Sequence, residues 1–194
     1  MIIENYRLNK TRGGTTFSYN DSAEDAIVEA LCSKFNLVDK GGPAGYAPEF
    51  DRIINNTKVE IKIQSCYSPF IEISKFDGKI PSGISLTESD LYLIVNPAGA
   101  TMKMRLFHTK ELKDWVERML EKYPEKLEPR KPDNLGPGSC GFFLDFESMK
   151  TLNDLFVLGF ESVRDENNRI IFDTADIITR HTNFAHNNIE NYIP

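Results

Sequence analysis

Cysteine is scarce and poorly placed for a covalent framework. Only three occur in 194 residues, at Cys32, Cys66 and Cys140, an odd number at wide spacing with no Cys-x-x-Cys pair. This argues against a disulfide scaffold and a structural zinc site and suits reduced thiols, so a cytoplasmic location is expected. Histidine is equally sparse. His181 and His186 are five apart, which misses the i,i+4 spacing of a helical metal pair, and His108 falls at a strand-to-helix junction. Apolar runs stay well short of the roughly 18 residues that a membrane span needs, so no membrane partner is expected. The N-terminus lacks a basic segment followed by an apolar run, so no secretory signal is expected. The glycine-rich stretches at 41–45 and 136–141 lack the Lys-Ser/Thr of a phosphate loop, and no serine nucleophile motif occurs.

Positive charge is also in deficit. The chain carries 23 Lys+Arg against 29 Asp+Glu, a net charge of −6, where a nucleic-acid binder more often shows a basic surface. The deficit is uneven. Residues 141–194 hold four basic and nine acidic residues, which leaves 19 and 20 for residues 1–140, a balance of −1. Charge therefore neither supports nor excludes a nucleic-acid partner. Hydrophobic content of 40% and charged content of 27% are those of an ordinary globular chain, long enough to bury a core.

The most informative stretch is Pro48-Glu49-Phe50-Asp51 followed by Val59-Glu60-Ile61-Lys62-Ile63-Gln64. It reads as two strands joined at Asn55-Asn56, a two-residue loop that asparagine favours because it tolerates positive φ. Pairing then runs Ile54 with Thr57, Ile53 with Lys58, Arg52 with Val59 and Asp51 with Glu60. Directly opposed Cβ atoms lie about 4.5–5.5 Å apart, where two carboxylates repel unless a cation stands between them. Lys62 points to the same face, and Phe50, Ile54, Val59, Ile61 and Ile63 face a core. In this register Glu49 falls opposite Lys62, as a salt-bridge partner or a further acid, and Gln64 projects to the same face. Two carboxylates and an ammonium on one face form a rational divalent-cation site.

Around the hairpin the chain divides as follows. Residues 1–20 form an irregular or short-strand arm whose Arg7, Lys10 and Arg12 either touch nucleic acid or are simply solvated. Residues 22–37 are predicted helical, with Ser22 as N-cap and Ile27, Val28, Leu31 and Phe35 on one face. Glu24 continues that stripe, aimed at a site or serving the helix dipole, and Glu29 turns to solvent. The segment 68–85, broken by Pro69, Gly78, Pro81 and Gly83, is expected to wrap over the site as a loop. Strands are predicted over 88–95, buried on both faces, and over 102–108. Thr109 caps a helix to Tyr123 whose Leu112, Trp115, Val116, Met119 and Leu120 give the best amphipathic signal in the chain. Residues 124–140 are a proline-rich loop or linker, made basic by Lys126, Arg130 and Lys131. Beyond it, residues 141–194 form a C-terminal extension on the 1–123 core, with strands near 141–146 and within 169–179.

Glu24 on its helix, Pro48-x-x-Asp51 and Glu60-Ile61-Lys62 together resemble the PD-(D/E)xK nuclease superfamily, over roughly residues 22–123, with similarity to restriction enzymes and Holliday-junction resolvases. The proline does not abut Asp51 as in the name-giving motif. The resemblance implies an α/β fold with a restriction-endonuclease-like core, a mixed β-sheet flanked by helices. It implies a Mg²⁺-dependent endonuclease, with Mn²⁺ as substitute, hydrolysing phosphodiester bonds of double-stranded or branched DNA. Asp51, Glu60 and Lys62 would be catalytic. Asp51, Glu60, Glu24 and the Ile61 backbone carbonyl would hold the metal, with Glu49 and Gln64 as accessories. Lys62 would act as base or as electrostatic stabiliser. A homodimer would match the two-fold symmetry of duplex DNA. The alternatives are a catalytically silent nuclease-like module for nucleic-acid binding or assembly, and a surface salt-bridge ladder across Glu49, Asp51, Glu60 and Lys62.

Overall fold

The computed structural model describes residues 2–3, 9–11, 14–16, 21–43, 49–63, 70–75, 79–98, 101–126, 128–130, 139–143, 158–164 and 170–172. The N-terminal arm contributes three short strands, β1 (Ile2–Ile3), β2 (Asn9–Thr11) and β3 (Gly14–Thr16), the last two paired with each other. Helix α1 spans Asp21–Phe35, so the expected cap Ser22 lies inside its first turn. Ile27, Val28 and Leu31 are buried and Glu29 is exposed, as a 3.6-residue period requires. The helix ends at Asn36, whose φ of 54° is left-handed. That turn lets the Leu37 N–H donate to the Cys32 carbonyl at 2.8 Å, the closure that satisfies an otherwise orphaned helix carbonyl.

Strands β4 (Arg52–Ile54) and β5 (Thr57–Ile63) form the hairpin in the expected register, Ile54 with Thr57, Ile53 with Lys58 and Arg52 with Val59. Asn55 takes φ of 55° at the first loop position. Its N–H donates to the Val38 carbonyl at 2.7 Å and its Oδ1 accepts the Val38 N–H at 2.9 Å. Residues 38–41 thereby line the outer edge of β4, with Lys40 N–H on the Ile53 carbonyl at 2.8 Å and Ile53 N–H on the Gly41 carbonyl at 2.9 Å.

The segment expected to be a loop over the site is instead built of strands, β6 (Phe70–Lys75) and β7 (Ile80–Pro81), followed by a 3₁₀ turn at Gly83–Ser85. It carries the chain across to β8 (Leu91–Ala98), which runs parallel to β5 with Glu60 beside Tyr92 and Lys62 beside Ile94. Parallel neighbours require such a crossover, which is usually helical. Strand β9 (Thr101–His108) returns antiparallel and leads directly into α2 (Thr109–Lys122). His108 occupies the N-cap position and makes no side-chain cap, and Thr109 is the first helical residue. The proline-rich connection carries a 3₁₀ turn at Pro124–Lys126 and strand β10 (Glu128–Arg130). Then come β11 (Ser139–Phe143), β12 (Leu158–Arg164) and β13 (Ile170–Phe172).

These strands form a seven-stranded mixed sheet, ordered β1-β13-β12-β9-β8-β5-β4, and a four-stranded sheet, β10-β11-β6-β7. The expected C-terminal extension is woven into both rather than laid on a finished core, since β11 pairs with β6 and β12 with β9. Alternation gives the large sheet two distinct faces at β5. Val59, Ile61 and Ile63 share one face with Leu91, Leu93 and Val95, all buried. Glu60 and Lys62 share the other with Tyr92 and Ile94. On that second face Tyr92, Ile94 and Phe107 pack with Leu112, Trp115 and Val116 of α2 and with Ile71 and Ile84 of the crossover. Each fully buried side chain of this size contributes about 1.5–3 kcal/mol. The acid of β5, Glu60, therefore emerges beside a closed apolar core. No helix among the described residues is long and apolar enough to cross a membrane.

Candidate active site

Asp51 immediately precedes β4, and the hydrogen-bonded ladder ends one pair short of it. Its N–H donates to the Val59 carbonyl at 3.1 Å, and its carboxylate Oδ2 accepts the Ile61 N–H at 2.7 Å. The side chain thus continues the pairing where the main chain leaves it. This corrects the expected direct opposition of Asp51 and Glu60 as a ladder pair. In antiparallel pairing a residue turns N–H and carbonyl to the same neighbour, so the Ile61 carbonyl also turns to the edge where Asp51 stands.

Glu60 is buried, with 5% of its side chain exposed. Lys62 Nζ contacts its Oε1, and Thr87 Oγ1 stands 3.4 Å from Oε2. The same ammonium lies 3.9 Å from Asp51 Oδ2. One lysine therefore serves two carboxylates. Burial raises the Glu60 carboxyl above its ordinary value, the Lys62 charge opposes this, and the Asp51 charge adds to it. Burial alone would depress the Lys62 ammonium, but Tyr92, Glu60 and Asp51 outweigh it and hold it above its ordinary value. Tyr92, fully buried next to Glu60, is itself pushed up by burial.

Glu24 is buried as its place in the stripe predicts, but its partner is a residue that pattern reasoning passed over. Arg52 donates Nε to Glu24 Oε1 at 2.8 Å, meets Asp25 Oδ1 through a terminal nitrogen and lies 3.7 Å from Asp39 Oδ2. Burial raises the Glu24 carboxyl, the Arg52 hydrogen bond opposes this, and the nearby Asp51 charge adds to it. Glu24 thus stands within the field of the site with one oxygen committed to Arg52. Glu49 is brought close by its main chain: its carbonyl accepts the Glu88 N–H at 2.7 Å and Thr87 Oγ1 at 2.9 Å. The expected Glu49–Lys62 pairing is not formed, because Lys62 is held by Glu60 and Asp51. Gln64, Arg7 and Arg12 lie outside the described residues, as do Cys66, His181 and His186. Lys10 falls in β2.

Two neighbours, Tyr92 and Thr87, carry no motif. Tyr92 becomes legible only once the 88–95 strand is set parallel to β5, and Thr87 only once the crossover is traced. Among the described residues no group of three or more His, Cys, Asp or Glu is arranged to hold a metal ion. The donors present are two carboxylates with a main-chain carbonyl turned to the same edge. That set fits a hard cation such as Mg²⁺, which binds through one or two carboxylates and keeps several waters. The single ammonium shared by the two acids marks where positive charge is needed.

No protein-family model matches the chain, and searches of curated proteins and of solved structures found no match.

Proposed function

We propose that the chain is a Mg²⁺-dependent endonuclease acting on DNA, with a core of the restriction-endonuclease-like type. The observation that carries this reading is Asp51, Glu60 and Lys62 gathered by two adjacent strands, the ammonium between the acids. The order helix, acid-bearing strand and Glu-x-Lys strand in α1, β4 and β5, followed by β8 beside β5, supports the same core. Asp51 and Glu60 would hold the cation, with the Ile61 carbonyl as a third oxygen. Such an ion activates bound water and offsets charge on a scissile phosphate. Lys62, in contact with both acids, supplies a positive charge and N–H donors to an oxygen gaining charge. The Asp51 carboxylate is oriented by the Ile61 N–H and is pre-organised rather than recruited.

The test is cleavage of supercoiled plasmid and of branched DNA with Mg²⁺ or Mn²⁺. Wild type should cut, Asp51→Ala and Glu60→Ala should not, and Lys62→Ala should lose about 10²–10³-fold. If wild type cuts nothing that Asp51→Ala leaves intact, the reading fails. A second reading, a silent nuclease-like module that binds nucleic acid, draws on the way Lys62 already serves both acids. It predicts DNA binding without cleavage and no divalent-cation binding that depends on Asp51 and Glu60.

A further inference from the structure

We propose that Thr87 is a positioning residue for this site, and that the buried hydroxyls of Thr87, Ser89 and Thr109 set the spacing of its two carboxylates. The inference rests on the reading of Asp51 and Glu60 as a cation site. Thr87, Ser89 and Thr109 are 1%, 7% and 3% exposed, and buried hydroxyls are tolerated only when paired. Thr87 Oγ1 lies 2.9 Å from the Glu49 carbonyl, 3.4 Å from Glu60 Oε2 and 3.0 Å from Ser89 Oγ, and it accepts the Ser89 N–H at 3.3 Å. Ser89 Oγ in turn lies 2.9 Å from Thr109 Oγ1, on the first residue of α2.

A hydroxyl has one proton to give. The Glu49 carbonyl only accepts and at 2.9 Å is the nearest acceptor around Thr87 Oγ1, so that proton is directed at the segment that leads into Asp51. The Thr87 oxygen accepts the Ser89 N–H and lies 3.0 Å from Ser89 Oγ, which is paired in turn with Thr109 Oγ1. The linked hydroxyls run from the start of α2 to the site.

The main chain around Thr87 is held from three sides. The Glu88 N–H reaches the Glu49 carbonyl at 2.7 Å, two residues before Asp51. On β5, Asp90 exchanges hydrogen bonds with Lys58 at 2.9 Å in both directions. From α2, Lys113 Nζ donates to the Thr87 carbonyl at 2.7 Å, and the Thr109 N–H donates to the Asp90 carbonyl at 3.0 Å. Within this fixed segment, Thr87 Oγ1 donates to the Glu49 carbonyl and stands 3.4 Å from Glu60 Oε2, between the segment that leads into Asp51 and the Glu60 carboxylate. Removing it should let the two acids drift apart without unfolding the hairpin, whose own ladder is intact.

The experiment compares the full-length wild type with Thr87→Val, Thr87→Ser and Asp51→Ala. It reads Mn²⁺ binding by titration calorimetry, the metal-free Tm and cleavage kinetics. Thr87→Val should bind Mn²⁺ about 10–100-fold more weakly, the usual loss when a ligand's hydrogen-bond partner is removed, with kcat falling and KM for DNA held. Thr87→Ser, which keeps the hydroxyl, should stay close to wild type. Wild-type Mn²⁺ affinity in Thr87→Val overturns the proposal, as does a Thr87→Ser loss equal to that of Val, which would mean packing of the methyl. If Thr87→Val does not fold, Ser89→Ala removes the next hydroxyl and should weaken Mn²⁺ binding by a smaller factor; no change there overturns the proposal too. Wild type binding no more Mn²⁺ than Asp51→Ala removes the cation site itself and this inference with it. Loss confined to Asp51→Ala refutes the positioning role alone.

Discussion

Asp51 stands just before β4 and Arg52 opens it, and their side chains part. Asp51 goes to Ile61 and Lys62, while Arg52 goes to Glu24, Asp25 and Asp39. The second cluster fixes α1 against β4, and its balance of charge is measurable. Burial, outweighing the Arg52 hydrogen bond, holds the Glu24 carboxyl above its ordinary value. A raised carboxyl binds more protons in the folded than in the unfolded state. Its contribution to stability is therefore full below the unfolded value and is lost as pH rises through the folded one. Glu24→Gln, which still offers an oxygen to Arg52, should be more stable than wild type at pH 7 in urea titrations. That gain should vanish on acidification below the unfolded carboxylate range. Arg52→Ala should instead cost about 3 kcal/mol, because it strands a buried carboxylate. A Glu24→Gln protein less stable at pH 7 would show that the charge is fully compensated. At this scale the stripe alignment of Glu24 was readable from spacing alone. Its partner was not, since the reach of an arginine is decided by what packs over the strand.

The hairpin is the element whose geometry the sequence spelled out most completely. Period-two apolar residues and a two-residue asparagine loop leave one register, and β4 and β5 adopt it. Where the reading stopped being valid was Asp51, because a short carboxylate competes with the main chain for the Ile61 N–H, and periodicity is blind to that. The crossover was missed for a related reason. Pro81 and Gly83 punctuate it, yet Pro81 sits in β7 at the edge of its sheet, where no donor is needed. Gly83, in the 3₁₀ turn, and Gly141, in β11, mark places where a Cβ would run into the carbonyls of Glu72 and Ile71, so these glycines record close approach to β6. The loop residue Asn55 offers the direct test of the hairpin. Replacing it by Ala should cost about 1–2 kcal/mol in chemical denaturation, since alanine tolerates the left-handed turn poorly and gives up the Val38 hydrogen bond. Asn55→Gly, which keeps the backbone freedom, should cost less. Equal costs for the two would place the whole effect in the lost hydrogen bond.

At the scale of the molecule, the two helices and strands β4, β5, β8 and β9 were legible, while β6, β7, β10 and β12 and the connectivity were not. Composition marked 124–140 as a boundary because prolines and glycines cluster there. Yet strand pairing is non-local, and β10 and β11, from 128–143, complete a sheet begun by β6 and β7. The strand β12 covers the edge of β9 over six residue pairs, from Leu158 with Leu106 to Val163 with Thr101. A chain cut after Tyr123 would expose that edge, a ready template for pairing with other copies. It would also strip β6 of β11, taking the Phe70–Phe143 ring contact with it. Ile71, which contributes to the core beside Tyr92, would lose its strand partner Phe142. Residues 1–123, although they contain Asp51, Glu60, Lys62 and Thr87, should therefore not melt as one cooperative unit. Thermal circular dichroism of the fragment should show a broad, early transition with aggregation, against a single sharp one for the full chain. A sharp melt together with Mn²⁺ binding by the fragment would show that the C-terminal strands are an addition to a self-sufficient core. Loss of both would show that the two acids keep their spacing only while a sheet completed from the far end of the chain holds β8, the crossover and Thr87 in place.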